Sequence, residues 1–226
     1  MSNDNKPAQD RWQSVDMPKQ DATKRVYNFD EVALGYNEEL AQREASRCLL
    51  CSNPQCSIGC PVGINVPGFI RLIKEKKYNQ ALKKIKEKSS FPVISCRICP
   101  QEEQCQKSCM IAKKGEAVQI GRLERFVADL EKDELRDTCS IRTALSTGKK
   151  VAVIGSGPSG LTVAANLARF GHEVVIFEAL PVEGGVLAYG IPEFRLPKYI
   201  VKKEVERIRN LGVKILTNIQ VAKISA

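Results

Sequence analysis

Residues 149–178 decide the fold. They read Lys149-Lys150-Val151-Ala152-Val153-Ile154-Gly155-Ser156-Gly157-Pro158-Ser159-Gly160, then LTVAANLARFG, then HEVVIFE, which closes on Glu178. A short β-branched run bounded by glycine predicts a buried strand, the small-residue stretch after it a helix, and HEVVIFE a second strand. At the first strand-to-helix turn, Gly155 permits the tight turn, Gly157 lets backbone approach a pyrophosphate, and Gly160 lets helix and strand pack closely. The helix start at Pro158 and Ser159 would offer free N–H groups and the positive end of a dipole to phosphates, with Ser156 in the turn itself. Glu178 ends the second strand 23 residues after Gly155, where an acid accepts hydrogen bonds from ribose hydroxyls. That carboxylate disfavours a 2′-phosphate, hence NADP at this position.

Downstream, a Gly/Pro-rich loop leads to a predicted helix over 198–210 and a third strand over 213–216. Strands alternating with helices imply a parallel sheet. Residues 148–226 are thus expected to form the N-terminal part of a Rossmann-like FAD/NAD(P)-binding domain.

Upstream the character differs. Residues 1–30 are polar and aperiodic, an expected extended arm. Residues 31–140 are expected to form an all-helical module, with helices over 38–47 and 119–132 and a linker over 140–147. Two loops, 48–66 and 92–118, carry eight of the nine cysteines: Cys48-x2-Cys51-x4-Cys56-x3-Cys60-Pro61 and Cys96-x2-Cys99-x5-Cys105-x3-Cys109. Zinc would use the pairs Cys48/Cys51 and Cys96/Cys99 and leave four cysteines unexplained. Four close thiolates ending in Cys-Pro are a ferredoxin-type run, in which the fourth cysteine serves the other cluster, so two 4Fe–4S clusters are expected. Cys139 lies outside both runs and reads as an incidental thiol. His172, the single histidine, falls in a helix-to-strand turn and reads as structural.

Composition excludes several classes. Hydrophobic residues make up 43% and charged residues 27% of the 226, with no apolar run near the roughly 20 residues of a membrane helix. The polar N-terminus lacks a signal-peptide core, so a cytoplasmic protein with reduced thiols and no membrane contact is expected. The net charge of +9 is concentrated. Arg71, Lys74, Lys76, Lys77, Lys83, Lys84, Lys86 and Lys88 face only Glu75 and Glu87, with Phe69, Ile70, Ile73, Ala81, Leu82 and Ile85 interleaved at helical spacing. Amphipathic helices with a solvated basic face explain this better than an acidic protein partner, and either better than nucleic acid.

The stretch Glu183-Gly184-Gly185-Val186-Leu187, continuing through Tyr189-Gly190-Ile191-Pro192-Glu193-Phe194-Arg195, resembles the flavin half of the glutamate synthase small-subunit family. The segments NFDEVALGYNEELAQREASRCLLC, CRICPQEEQC and IGRLERFVAD resemble the two-cluster helical domain shared by that family, by dihydropyrimidine dehydrogenase, and by the large subunit of NADH-dependent reduced-ferredoxin:NADP oxidoreductase. The resemblance covers nearly the whole chain after residue 15. It implies that Gly184 and Gly185 lie along FAD, that Arg195 contacts the flavin cofactor, and that Val221 sits where a third strand passes the adenine. It also implies crossed ligation: one cluster on Cys48, Cys51, Cys56 and Cys109, the other on Cys60, Cys99 and Cys105. The fourth ligand of the second is open between Cys96 and Glu124, with Glu124 preferred.

The family's chains are about twice as long. A second glycine motif, for NADPH, and the returning segment that completes the FAD fold do not occur in these residues. The resemblance implies an iron–sulfur flavoprotein oxidoreductase whose full-length parent uses NADPH, with a glutamate synthase large subunit as partner. The alternatives are a small flavoprotein subunit with ferredoxin, as in an electron-bifurcating transhydrogenase, or a non-catalytic electron-carrying adaptor.

Overall fold

The computed structural model describes residues 11–131 and 144–222. It divides into two compact units, the first holding residues 11–19 and 34–131, the second 20–33 and 144–222. Cys139 and part of the expected linker lie outside the described residues.

The first unit is helical: α1 (Glu38–Ser46), α2 (Gln55–Ile58), α3 (Val66–Lys74), α4 (Tyr78–Lys86), α5 (Pro92–Ile98) and α6 (Ile120–Asp129). Asn37 starts α1 by accepting the Leu40 N–H at 2.9 Å, and Glu38 and Glu39 stand at its positive end. α3 packs on α4 and α5 on α6. Phe69, Ile70, Ile73, Ile85 and Leu123 are fully buried at the centre. The basic face of α3 and α4 is partly paired: Lys76 with Glu38 at 3.2 Å, Lys77 with Glu75 at 2.7 Å, Lys84 with Glu87 at 3.0 Å.

One expectation is corrected. The stretch 92–118 is not all loop, because Pro92–Ile98 is a helix. Pro92 stands in its first turn, where a missing N–H costs nothing, and Ile94 and Cys96 are buried. Likewise Cys56 sits on the short α2 rather than in a loop.

The described part of the expected arm is anchored. Val15 N–H donates to Glu44 Oε2 at 2.7 Å, and Ser14 donates to Glu116. Glu44 also accepts the Gln119 N–H at 2.8 Å and pairs with Arg47, whose Nε donates to the Arg11 carbonyl at 3.0 Å. Both charges are buried and both are hydrogen-bonded, which burial of an ion pair requires.

The second unit contains β1 (Lys150–Ile154), α7 (Pro158–Arg169), β2 (Glu173–Phe177), α8 (Val186–Tyr189), α9 (Lys198–Arg209) and β3 (Lys214–Leu216). The strands form a parallel sheet ordered β1-β2-β3, with Val151 opposite Val174, Val153 opposite Ile176, and Ile176 opposite Ile215. α7 packs on β1 and β2, and α9 on α7. The alternation puts Val153, Val174, Ile176 and Ile215 on the buried face. Ile154 and Leu216 fall on the other, 56% and 42% exposed. Residues 20–33 join this unit: Gln20 N–H donates to the Val32 carbonyl at 2.8 Å and Val32 N–H to the Phe194 carbonyl at 3.0 Å. Among the described residues no helix is long and apolar enough to cross a membrane.

Candidate functional site

The first cysteine group surrounds a pocket. Cys48, Cys51, Cys56 and Cys109 line it with Gln55, Ile70 and Met110. The chain reaches this arrangement through two tight turns. Leu50, between Cys48 and Cys51, takes φ +51°, a left-handed conformation that costs a non-glycine residue of order 1 kcal/mol. A Cβ on Gly59 would meet Ser108 Oγ at 2.7 Å and the Gln104 carbonyl oxygen at 2.9 Å, so only glycine lets the two cysteine segments touch here. The Leu50 amide is directed at the Cys48 sulfur and the Ser57 amide at the Cys56 sulfur.

Burial is the main cause that raises the Cys48 thiol and pushes Cys56 up to about 11, and the neighbouring cysteines of the same group add to it. The cysteines felt by Cys48 are Cys109 and Cys51; those felt by Cys56 are Cys109, Cys48 and Cys51. Cys60, though only four residues from Cys56, is not among the residues that line this pocket.

Cys60 acts instead on Cys99 and Cys105. Burial pushes these thiols up to about 11 and about 12, and Glu124 contributes at both. The runs therefore cross in space: Cys109 of the second joins three cysteines of the first, and Cys60 of the first joins two of the second. Cys96 stands apart. It is buried on α5, its sulfur 3.3 Å from the Val93 carbonyl oxygen and 3.7 Å from Arg97 Nη1. Burial, then Glu124, raises its thiol well above the ordinary value.

Among the described residues Glu124 is one of four buried carboxylates, with Glu44, Glu178 and Glu204. Glu44 and Glu178 each accept several donors, whereas Glu124 accepts one, from Ser95 Oγ at 2.9 Å. Burial pushes its carboxyl up to about 7 against that hydrogen bond. A desolvated carboxylate with so little compensation fits a cation beside it. Among the described residues no three His, Cys, Asp or Glu side chains close on a single point, as one isolated ion would demand. The first cysteine group lines a pocket instead, which suits a cluster of several atoms.

In the second unit the glycine turn has the expected build. Gly155 takes φ +88°. A Cβ on Gly160 would lie 3.1 Å from the Gly155 carbonyl carbon and closer still to its oxygen, while one on Gly157 would meet nothing within 4 Å. Ser159 and Pro158 open α7. Gly184 and Gly185 both have positive φ, and a Cβ on Gly185 would come within 2.9 Å of Gly157 Cα, so this pair lies directly against the turn.

Glu178 is engaged inside the protein. Its Oε2 accepts the Ser156 N–H at 2.7 Å and the Ser156 hydroxyl at 2.6 Å, and Oε1 accepts the Leu180 N–H at 2.8 Å. Burial works to raise its pKa, but these donors outweigh it and hold it below the ordinary value. Ser156 Oγ also accepts the Gly184 N–H at 3.1 Å, so one serine joins the turn, the acid and the glycine pair. The sequence placed Ser156 in the nucleotide-binding turn, but its bond to Glu178 and to the glycine pair shows only in three dimensions.

Arg195 is exposed on the turn that precedes α9, with its N–H on the Pro192 carbonyl at 3.0 Å. Val221 is not on a strand: β3 ends at Leu216, and the chain beyond it runs beside residues 178–180 through Ile219 N–H on the Glu178 carbonyl at 2.8 Å. The expected third-strand position for Val221 is therefore corrected to a loop. His172 meets Thr147 Oγ1 at 2.6 Å in its turn.

Residues 25–135 match the family described as dihydropyrimidine dehydrogenase domain II, 4Fe-4S cluster, and residues 128–226 match pyridine nucleotide-disulphide oxidoreductase. Fold, cysteine groups and glycine turn thus define a chain with an iron–sulfur domain followed by a nucleotide-binding oxidoreductase domain. The chain is similar to proteins named glutamate synthase small chain and dihydropyrimidine dehydrogenase subunit PreT. It is 38% identical over 193 residues to the NAD-dependent subunit PreT of Salmonella typhimurium, covering 85% of this chain and 46% of that one. It is 35% identical over 213 residues to the glutamate synthase (NADPH) small chain of Escherichia coli, covering 93% and 44%. It is 35% identical over 202 residues to the putative oxidoreductase AegA of Escherichia coli, covering 88% and 30%. The chain therefore spans less than half the length of these relatives.

Proposed function

We propose that this chain is the electron-transfer portion of an iron–sulfur flavoprotein oxidoreductase. Cys48, Cys51, Cys56 and Cys109 would hold one 4Fe–4S cluster, and Cys60, Cys99, Cys105 and Glu124 the other. The observation that carries the reading is the crossing of the two cysteine runs, since a fold that merely buried its thiols has no reason to exchange Cys60 for Cys109. Glu124 is preferred to Cys96 because it acts on both Cys99 and Cys105 and accepts one hydrogen bond, while the Cys96 sulfur is turned to the Val93 carbonyl and Arg97.

The second unit would form the first part of a Rossmann-type FAD-binding domain. Gly157 leaves the space a pyrophosphate needs, the first turn of α7 directs its free N–H groups there, and Gly184 and Gly185 flank it. The Ser156 hydroxyl keeps Glu178 ionised and oriented at the edge of that space. Arg195 would contact the flavin. When bound, such cofactors supply exchange between hydride and single electrons. The protein's contribution is to hold them and to set the charge around them. The N–H groups of Leu50 and Ser57 would stabilise negative charge on ligand sulfurs.

For the full-length parent we infer NADPH as hydride source and a partner redox subunit as electron acceptor, as the name of the glutamate synthase (NADPH) small chain suggests. Similarity to PreT favours a second reading, in which the partner is a pyrimidine-reducing subunit. A small flavoprotein subunit with ferredoxin is the third. A cytoplasmic setting follows from the reduced thiols such clusters need. Metal, sulfide and flavin analysis of anaerobically purified protein tests the reading. About eight irons and eight acid-labile sulfides per chain are expected, and stoichiometric zinc without sulfide would overturn it.

A further inference from the structure

We propose that Ser95 is a positioning residue for the second cluster, holding Glu124 by one carboxylate oxygen so that the other is left for iron. The inference rests on the reading of Glu124 as a ligand.

Ser95 lies one turn before Cys99 on α5, and its backbone carbonyl accepts the Cys99 N–H at 2.9 Å. Its hydroxyl has three oxygens within reach: Glu124 Oε1 at 2.9 Å, the Pro92 carbonyl at 3.4 Å and Ser89 Oγ at 3.4 Å. One hydroxyl proton goes to the nearest and most charged acceptor, Glu124. The long approach of Ser89 lets that hydroxyl donate in turn to Ser95. Ser95 therefore governs two of the groups assigned to this cluster, Cys99 through its backbone and Glu124 through its side chain.

Among the described residues none donates to the remaining oxygen, Oε2. Every fully buried side-chain oxygen or nitrogen among the described residues has a partner. Oε2 is thus not sealed in, although the residue as a whole is buried. A carboxylate pinned at one oxygen and open at the other has one direction left in which to bind.

The platform beneath is rigid. Arg97 clasps Asp129 with two bonds of 2.8 and 2.9 Å, joining α5 to α6 four residues beyond Glu124's own turn. Gln101 Nε2 donates to the Cys96 carbonyl at 2.9 Å, and its side chain fills the place a Cβ on Gly121 would need. With both helices fixed, the Ser95–Glu124 bond is the adjustable element. A hydrogen bond to the far oxygen of a ligand carboxylate withdraws charge from the group and favours the reduced cluster, and its loss lowers the potential.

The test is a spectroelectrochemical titration of the anaerobically purified protein, following each cluster by its spin-resonance signal, in wild type, Ser95→Ala, Ser95→Thr and Glu124→Ala. Ser95→Ala should shift one cluster to more negative potential and leave the other unchanged, and Ser95→Thr, which keeps the hydroxyl, should return it toward wild type. An unshifted potential in Ser95→Ala, or a shift that Ser95→Thr shares in full, would overturn the proposal. So would loss of both clusters in Ser95→Ala, which would make the serine a packing residue. Glu124→Ala separates the two levels: if it alters neither signal, the ligand reading itself fails; if it alters one while Ser95→Ala alters none, only the positioning role fails.

Discussion

Gly157 and Gly160 stand three residues apart in one turn, and substituting each with alanine should separate binding from folding. At Gly160 the new methyl would lie 3.1 Å from the Gly155 carbonyl carbon and 3.4 Å from Val153 Cγ1, with the Gly155 oxygen nearer still. The neighbours are backbone and a buried strand residue, which cannot turn aside, so α7 must shift off β1. Overpacking of this kind costs about 1–3 kcal/mol, with the upper end expected because the clash is with backbone. At Gly157 the methyl meets nothing within 4 Å, and φ is −66°, which alanine adopts freely. Its effect on stability should stay within about 0.5 kcal/mol. The open space at Gly157 is where a pyrophosphate would lie, however, and a methyl there should weaken flavin binding by roughly five- to 150-fold, the same 1–3 kcal/mol expressed as affinity. Urea unfolding followed by circular dichroism reports the first effect and flavin content of the purified protein the second. A Gly157→Ala protein that keeps its flavin, or a Gly160→Ala protein as stable as wild type, would refute the assignment of one glycine to the ligand and the other to the packing.

Glu44→Ala should cost about 3–5 kcal/mol in the first unit, because it strands the buried Arg47 guanidinium; a loss below 1 kcal/mol in urea unfolding would show the pair to be dispensable. Glu178 has a lowered folded pKa, so it contributes stability above the ordinary value of 4.5 that disappears as pH falls through its lower folded value. Acid titration of Glu178→Gln should lack this component, and a profile identical to wild type would contradict it. Cys96→Ser should leave both clusters in place, as read from iron content, whereas loss of about half the iron would make Cys96 the fourth ligand.

The sheet and its helices were legible because their signals are local. Val151–Ile154 and Val174–Phe177 are β-branched runs, Lys198–Arg209 has a helical period, and the glycines mark the turn between strand and helix. α5 was not, because Pro92, Cys96 and Cys99 carry loop and ligand signals that hide a helix of seven residues. The anchoring of residues 11–33 was not either: it depends on Glu44, Glu116 and the Phe194 carbonyl, all distant in sequence. Within the candidate sites, spacing identified the cysteines, but the crossing came from resemblance, and its physical enabler, Gly59 against Ser108 and Gln104, shows only in three dimensions. The bridging role of Ser156 and the place of Ser95 beside Glu124 were not legible for a common reason. A serine's hydrogen-bond partner is set by tertiary approach, and nothing in its neighbours along the chain announces it.

The crossed arrangement of the two cysteine runs is the central claim, and paired cysteine variants test it most directly. Anaerobically purified Cys56→Ser and Cys109→Ser should lose the same spin-resonance signal and keep the other, while Cys60→Ser and Cys105→Ser should lose the other and keep the first, each variant retaining about half the iron. If Cys60→Ser instead extinguishes the signal lost in Cys56→Ser, and Cys109→Ser the one lost in Cys105→Ser, each run binds its own metal site and the crossing is wrong.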